Sequence, residues 1–379
     1  MCTFARNLKQ GIFKLYGMTL NTFKNIFFFA LCSAISFVGY ASEDPGNKDE
    51  KEFNAKEMIL HHVKDAYGFE LIEWNNEPIS IPLPVILWTD NGLTAFMSNA
   101  FHHDDSGHTI VQKNGGKFVK LHEKIYQLNE GETAISLDEE HHPTNVTKPL
   151  NFSITRNVFM MWVSVSLILL IFLTAAKSYK KSNDGVPKGI AGFVEPLVLF
   201  VRDEIARPMI GEHKYKKYMP YLLTVFFFIW TNNIFGLIPI FNGANVSGNI
   251  AFTMTLALVT FIITTIKGNK NYWKHIFWMP GVPVPMKVFL APIEVIGMFV
   301  KPLSLMIRLF ANITAGHIII LALMSLIFIF ETVWISPVSI VFSLFILIIE
   351  IIVTAIQAYI FTVLSALYFG MATEEEKHH

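Results

Sequence analysis

Three of the charged side chains and one amide inside the long apolar stretch at residues 286–330 are regularly spaced. Glu294, Lys301 and Arg308 are spaced seven residues apart, and Asn312 follows Arg308 by four, so one face of a helix would carry all four. Charges inside membrane helices are costly and mark functional sites by default. Because arginine keeps its proton in proteins, Arg308 could repel a cation or attract a carboxylate, but it could not relay a proton. The alternative, a snorkelling arginine at a helix end, is disfavoured by the apolar sequence on both sides.

The two charges that precede Arg308 on this face each have two interpretations. Lys301 lies nearer the expected cytoplasmic interface, so it could be a snorkelling lysine or part of the site. Glu294 could be an ordinary interface residue, and we favour a position in an access path from the cytoplasm.

Two further titratable residues, His317 and Glu350, lie in neighbouring apolar stretches, and the second stretch spans 337–370. Their chemistry predicts a proton relay, and a structural pair between two helices is the alternative. Gln357 follows Glu350 by seven residues and would share its face over roughly 10 Å. Gly316 would let another helix approach closely, and Asn312 and Gln357 could also bond helices together.

These side chains must be positioned by membrane helices. Of 379 residues, 52% are hydrophobic and only 16% are charged, against about 25% charged in globular proteins. The sequence therefore predicts an all-α integral membrane protein with about five spans, at residues 157–176, 221–241, 249–266, 286–330 and 337–370. The last two are too long to cross a bilayer of ~30 Å upright, so they should tilt steeply and form a wall along a partner. An amphipathic helix at 190–205 and a proline-containing segment at 273–285 are expected at the cytoplasmic interface.

The N-terminus has the pattern of a secretory signal peptide. Basic residues precede an apolar run at 26–38, and small residues follow at Gly39 and Ala41, which predicts cleavage after residue 41. An uncleaved helix is the alternative, and Met18 is a second possible start. Export of the following region agrees with lysines on the cytoplasmic side of the predicted spans, at Lys177, Lys180, Lys181, Lys267, Lys270 and Lys274. We therefore predict four parts: a signal peptide (1–41), an extracytoplasmic His-rich region (42–155), a membrane domain (156–372) and a cytoplasmic tail (373–379).

The exported region combines several local patterns. Residues 57–66 resemble a helix, residues 79–88 are strand-like with prolines, and Asn114-Gly115-Gly116 is typical of a hairpin turn. Eight histidines occur here: His61, His62, His102, His103, His108, His122, His141 and His142. They could form a metal site, but adjacent pairs without a metal-binding motif favour a solvated surface, and we predict neither a metal nor a cofactor.

One run of sequence resembles a known family. Residues 301–317, Lys-Pro-Leu-Ser-Leu-Met-Ile-Arg-Leu-Phe-Ala-Asn-Ile-Thr-Ala-Gly-His, resemble the signature of subunit a of the F-type ATP synthase. The essential arginine of that signature falls on Arg308. A second match covers 350–361, where the family has a partner acidic residue or histidine and an important glutamine; here His317 and Glu350 exchange the usual order. A third match covers 232–239, in which Asn233 fits an outer half-channel position. The resemblance extends over about residues 155–375.

The resemblance implies a proton-translocating stator subunit with no catalytic chemistry of its own. It implies two half-channels that serve a ring of c subunits, a peripheral stalk of b subunits, and a multi-pass position in a bacterial inner membrane with a cytoplasmic C-terminus. The residues implied in proton translocation are Arg308, His317, Glu350, Gln357, Asn312, Asn233 and Glu294. A proton-coupled secondary transporter is the alternative, but it predicts inverted repeats that the sequence does not display.

Other classes are disfavoured by what the sequence contains. The formal net charge of +0 argues against a nucleic-acid surface. No phosphate-binding GxxxxGK[ST] pattern occurs, so we expect no nucleotide site in this chain. An intramembrane enzyme would need a motif such as HExxH or GxSxG in the apolar runs, and neither is present.

Overall fold

The structure is a computed structural model that describes residues 64–74, 77–102, 104–129, 131–138, 143–181, 189–238, 246–330 and 336–374, with the side chains of 70–74, 77–79 and 328 excluded. Several predictions lie outside these residues. They are the signal peptide at 1–41, most of the helix at 57–66, the cytoplasmic tail from 375 onward, and His61, His62, His103, His141 and His142.

Residues 68–151 form antiparallel β-structure in three sheets. The strands are β1 (Gly68–Trp74), β2 (Glu77–Pro82), β3 (Pro84–Thr89), β4 (Gly92–Met97), β5 (Val111–Lys113), β6 (Gly116–Leu121), β7 (Lys124–Leu128), β8 (Val146–Thr147) and β9 (Leu150–Asn151). The sheet orders are β1-β2, β4-β3-β9 and β5-β6-β7-β8. The predicted strand at 79–88 is confirmed as two strands, and prolines stand where β2 ends and β3 begins, the positions that tolerate a missing N–H.

The predicted hairpin turn joins β5 to β6. Lys113 pairs with Gly116, so the loop has two residues, Asn114 and Gly115. Both have positive φ, 49° and 74°, which the favoured hairpin turn requires and which the Asn-Gly pair supplies at low steric cost. The hairpin prediction is confirmed, and buried Val111 and Phe118 place its inner side in the core of the β region.

The described residues from 156 onward form eight α-helices: α1 (Arg156–Lys181), α2 (Ile190–Phe200), α3 (Arg207–Ile210), α4 (Tyr215–Leu237), α5 (Ile250–Lys267), α6 (Lys270–Phe277), α7 (Val284–Phe330) and α8 (Ser336–Thr373). Five of those described, α1, α4, α5, α7 and α8, are long and apolar enough to cross a membrane. The five predicted spans are confirmed as helices whose ends differ from the predicted ones by at most six residues.

The chain divides into two compact units. One comprises Lys56–Ile318 with Ile349–His379, and the described part of the other is Ile319–Ile348 without residues 331–335. In the first unit, a core joins α4 to parts of α7 and α8 through Leu222, Leu309 and Phe361. In the second unit, Leu321, Met324, Ser339 and Ser343 are buried.

Helix α7 continues through both of its prolines. Pro292 and Pro302 lie inside one helix of 47 residues, which agrees with the single long span predicted at 286–330. Proline removes one helical hydrogen bond, but membrane helices tolerate it because neighbouring groups and local adjustments compensate. Leu305 and Leu309 are buried just beyond Pro302, so packing holds the helix on that side.

The predicted amphipathic helix at 190–205 is divided in the structure. It comprises α2 and most of a π-helical turn at Val201–Ala206, and α3 follows that turn. Val201 and Ile205 are fully buried, whereas Arg202 and Asp203 form an ion pair of 2.8 Å on the exposed side. That pairing lowers the pKa of Asp203 and raises that of Arg202 from their ordinary values.

Two loops hold the C-terminal end of α8. The Lys214 Nζ donates a hydrogen bond to the Thr373 carbonyl at 2.7 Å, and the Asn269 backbone N–H donates to the Ala372 carbonyl at 2.9 Å. The last carbonyls of a helix lack partners within it, so these donors satisfy them. One turn earlier, Gly370 lies against the Met209 carbonyl so closely that a Cβ there would overlap it.

The β region is fixed to the start of α1. The Arg156 N–H donates to the Ala66 carbonyl at 2.9 Å, and the Asn157 N–H donates to the Asp65 carboxylate at 3.0 Å. The rings of Phe69 and Phe159 lie 5.8 Å apart. Burial raises the pKa of Asp65 above its ordinary value, although its hydrogen bonds and the Arg156 charge act in the opposite direction.

Candidate functional site

Arg308 lies on the exposed face of α7. The opposite face is buried in the core through Leu305, Leu309 and Ile313, which follow one another at intervals of four residues. Arg308 makes no hydrogen bond or ion pair with any residue that the structure describes. A guanidinium carries five donors, so this one is available to a group outside the chain.

The surface around Arg308 is made of small side chains. Ser304, Ala311, Asn312 and Ala315 are exposed, and each lies three, four or seven residues from Arg308, on the same side of α7. Small residues allow helices to approach closely in membranes. Asn312 therefore shares the face of Arg308, as its spacing predicts, and another helix could come close to both.

Helices α7 and α8 meet at Gly316 and Glu350. A methyl group built on Gly316 would overlap the carboxylate and lie 2.6 Å from its Cδ, so any larger residue at 316 would displace the Glu350 carboxylate from this position. Glu350 is 3% exposed, and neither of its oxygens has a hydrogen-bond partner among the described residues. His317, the next residue after Gly316, is half-buried. The predicted close approach at Gly316 is thus made by a carboxylate side chain rather than by another backbone.

Arg308 and His317 project from different sides of α7. Nine residues separate them, which corresponds to roughly 13 Å along the helix and about half a turn around it. The exposed cation of Arg308 and the buried carboxylate of Glu350 are therefore separate from one another. Glu294 lies roughly 21 Å from Arg308 along the same helix.

A line of buried polar residues continues along α8 from Glu350. Thr354 and Ser365 are fully buried, and Gln357 is 5% exposed. Ser365 lies 3.5 Å from the Thr260 hydroxyl, which in turn lies 2.7 Å from the Tyr221 hydroxyl. Our sequence analysis recognised Glu350 and Gln357 but missed the others. Their signal was the spacing of Thr354 and Ser365, four and fifteen residues after Glu350, which keeps them on its face.

Several polar groups are buried near the end of α4 and in the short helical turn at Val246–Gly248. Asn233 is 3% exposed, and neither its Oδ1 nor its Nδ2 has a hydrogen-bond partner among the described residues. The hydroxyl of Ser247 is likewise buried without one. Asn232, by contrast, accepts a hydrogen bond from Ser164 at 3.1 Å. Since unsatisfied buried polar groups are uncommon, Asn233 and Ser247 are positioned to bind water.

A cleft lies at the opposite end of the helices, near Lys301. Its lining combines Lys301 with hydroxyl groups and apolar side chains, among them Thr260, Thr264, Tyr272, Tyr368 and Met371. Burial raises the pKa of Tyr272 above its ordinary value, and the negative charge of Glu294 adds to that effect. Glu294 is therefore close enough to act electrostatically on the cleft. Within the described residues, no group of three or more His, Cys, Asp or Glu side chains could hold a metal ion.

Comparisons with known proteins give a consistent result. The family model described as ATP synthase A chain matches residues 158–370, and a model described as a domain of unknown function, DUF8433, matches 58–152. ATP synthase subunit a of Chloroherpeton thalassium is 44% identical over 244 residues, which cover 63% of this chain and 72% of that protein. The Chlorobium phaeobacteroides subunit is 46% identical, covering 62% and 70%. The Anaeromyxobacter subunit is 37% identical over 306 residues, covering 76% and 73%.

Proposed function

The chain belongs to the ATP synthase subunit a family, and from that premise we propose how its residues conduct protons. It is the proton-translocating stator subunit of an F-type ATP synthase, a multi-pass membrane component of the complex and not itself its catalyst. The secondary-transporter alternative is not favoured, since the relatives described above all carry the name ATP synthase subunit a.

In our proposal, Arg308 faces the ring of c subunits and attracts the ionised carboxylate of each passing subunit. The observation that carries the proposal is its exposure, without a partner among the described residues, in the middle of a spanning helix. Small neighbours such as Ala311 and Ala315 would let the ring helices approach closely. Because arginine stays protonated, Arg308 would also stop protons from passing directly between two half-channels.

Protons would reach the ring from the exported side through the polar groups on α4, α7 and α8. Asn233 could order water at the entrance, and Glu350, with His317 beside Gly316, could pass protons onward. Gln357 and Asn312 would complete the path beside the ring. The burial of Glu350 and Gln357 on one face of α8 supports this route.

Release on the cytoplasmic side would follow the cleft beside Lys301. The hydroxyl groups of Thr260 and Thr264 line it, and Glu294 would form its acidic edge. Each proton that crosses contributes about 2.3 kcal/mol per 100 mV of membrane potential. Several protons must therefore combine for each ATP made elsewhere in the complex.

The remaining parts of the proposal concern partners and location. The chain would contact the c-ring along α7 and α8 and the b subunits of the peripheral stalk. It would lie in the bacterial inner membrane with residues 42–155 outside and the C-terminus in the cytoplasm. The lysines at the C-terminal end of α1, Lys177, Lys180 and Lys181, support this orientation by the positive-inside rule.

The test is ATP-driven acidification of inverted membrane vesicles containing the assembled complex. Arg308→Ala should abolish acidification while subunit content and ATPase activity persist. Lys287→Ala is the matched control, because Lys287 is a cation of the same helix that lies 4.7 Å from the Trp278 ring centre and away from the proposed path. Undiminished acidification by Arg308→Ala would show that Arg308 is structural and would refute the mechanism.

A further inference from the structure

One face of the β4-β3-β9 sheet is apolar and open. In β3, side chains alternate, so that Val85 and Leu87 are fully buried while Ile86 and Trp88 point to the other side. Trp88 pairs with Leu93 of β4 and with Leu150 of β9, which places the three in one row across the sheet. We define the outer sheet face as Ile86, Trp88, Leu93, Met97, Leu150 and Phe152.

Most of this face is solvent-exposed in the chain alone. Trp88 is 56% exposed, Leu150 65% and Phe152 63%. A half-solvated antiparallel sheet normally carries polar residues on its outer side, and these six positions carry none. Contiguous exposed apolar patches of several large side chains mark a protein–protein or membrane interaction site.

The sheet lies next to the point where the chain enters the membrane. The Phe152 N–H donates to the Ile86 carbonyl at 2.8 Å, and the Ile154 N–H donates to the Pro84 carbonyl at 3.0 Å. Pairing with β3 thus continues to within two residues of Arg156, where α1 begins. At ~3.3 Å per extended residue, Phe152 is no more than roughly 13 Å from that start.

The apolar length of α1 fixes the level of the bilayer. Residues 157–176 separate the β region from Lys177, and at 1.5 Å per residue they cover roughly 30 Å, the thickness of the hydrocarbon core. The boundary of the core therefore falls near Asn157. The headgroup layer begins there, and the end of the sheet that holds Phe152 and Met97 is the end nearest to it.

The junction holds the sheet in one orientation. Besides the hydrogen bonds to Ala66 and Asp65 described above, the Arg156 guanidinium donates to the Lys64 carbonyl at 2.9 Å. Phe69, Met160 and Val246 form a buried cluster between the β region and the membrane helices. These contacts fix residues 64–69, and the Asn151 Nδ2 of β9 donates to the Tyr67 hydroxyl at 2.5 Å, which joins the β4-β3-β9 sheet to the same junction.

We propose that the outer sheet face rests on the lipid surface of the exported leaflet. Trp and Phe are suited to this layer, where aromatic side chains concentrate in membrane proteins. The face carries no charge, so it would bind through apolar contact and would not require anionic lipids. Phe152 and Met97, nearest to α1, lie deepest, and the row of Trp88, Leu93 and Leu150 lies nearer to water.

The test uses nitroxide labels on single cysteines in the complete synthase reconstituted in lipid vesicles. Cys2 and Cys32, the two native cysteines, are first replaced by serine. Labels at Met97→Cys and Leu150→Cys report the face, and Gln112→Cys, exposed on β5, is the matched control. The measurement compares collisions with oxygen, which concentrates in lipid, and with a water-soluble nickel complex.

We expect oxygen accessibility to exceed nickel accessibility at Met97→Cys, less so at Leu150→Cys, and the reverse at Gln112→Cys. The ranking should be the same in neutral and anionic vesicles. Nickel accessibility at Met97→Cys and Leu150→Cys equal to that of the control would show a face in water and overturn the proposal. Labels that are immobilised and shielded from both reagents would show a protein partner instead, and would also overturn it.

Discussion

The contact between Gly316 and Glu350 makes the replacement Gly316→Ala a direct test of the geometry. The new methyl carbon would lie 2.6 Å from the Glu350 Cδ, whereas ordinary contacts begin at 3.4 Å, so the carboxylate must move by roughly 0.8 Å. The obstructing group is the end of a flexible side chain, so it can turn away at little cost in stability, and the effect should appear in proton transfer. A displacement near 1 Å of a group in the reaction path costs on the order of 10²-fold in rate.

We therefore expect Gly316→Ala to reduce ATP-driven acidification of inverted vesicles by roughly 10- to 100-fold. The matched control is Gly297→Ala, on the same helix, where an added methyl group meets nothing within 4 Å. Adding Glu350→Asp to Gly316→Ala should restore part of the activity, because the shorter side chain withdraws the carboxylate from the methyl group. Equal acidification by Gly316→Ala and Gly297→Ala, with equal subunit content, would refute the close approach and its role.

Three further predictions concern other contacts. Gly370→Ala should lower the thermal midpoint of the solubilised complex by the equivalent of about 1–3 kcal/mol, because the Met209 carbonyl that it would strike belongs to the backbone. Asp65→Asn should raise the thermal midpoint at pH 7, and the gain should shrink as the pH falls toward 4.5. Burial raises the folded-state pKa of Asp65, so the fold favours the protonated carboxyl. The stabilisation from this protonated form is complete below about pH 4 and is lost as the pH rises through the folded-state pKa. Asn233→Leu should leave the thermal midpoint unchanged or raise it, since it removes a buried amide without a partner among the described residues, while vesicle acidification falls several-fold.

Each of these predictions has a contrary outcome. A wild-type midpoint in Gly370→Ala would mean that α3 and α8 are not in contact at Met209. A gain from Asp65→Asn that is equal at both pH values would mean that ionisation of Asp65 is not its cause. Normal acidification by Asn233→Leu would exclude Asn233 from the proton path.

The membrane helices could be predicted because their signal is local. About twenty consecutive apolar residues suffice to identify a span, and this located all five, including α7 and α8. The hairpin at Asn114 and Gly115 was also predictable, since the required backbone conformation is specific to those residue types. The π-helical turn at Val201–Ala206 was not, because hydrophobic periodicity does not distinguish one π-helical turn from the α-helix around it.

The candidate site was predictable in its residue types but not in its arrangement. The spacing of Arg308 and Asn312 indicates a shared face, but it does not say which face is exposed; that depends on the burial of Leu305 and Leu309. The contact of Glu350 with Gly316 joins two helices whose relative register no sequence period records. For the same reason, the sequence could not predict that the hydroxyl groups of Thr260 and Ser365 lie close together.

The hydrogen bonds that hold the C-terminal end of α8 have a consequence for biogenesis. Its end is hydrogen-bonded to two residues from much earlier in the chain. Lys214 lies 159 residues before its partner Thr373, and Asn269 lies about a hundred residues before its partner Ala372. Helix α8 is also synthesised after every other described helix. Glu350 and Gln357 arrive with it. A nascent chain that has inserted its earlier helices therefore lacks half of the proposed conducting path. If the proposed path is correct, an unfinished subunit would offer protons no complete route across the membrane into which it is being inserted.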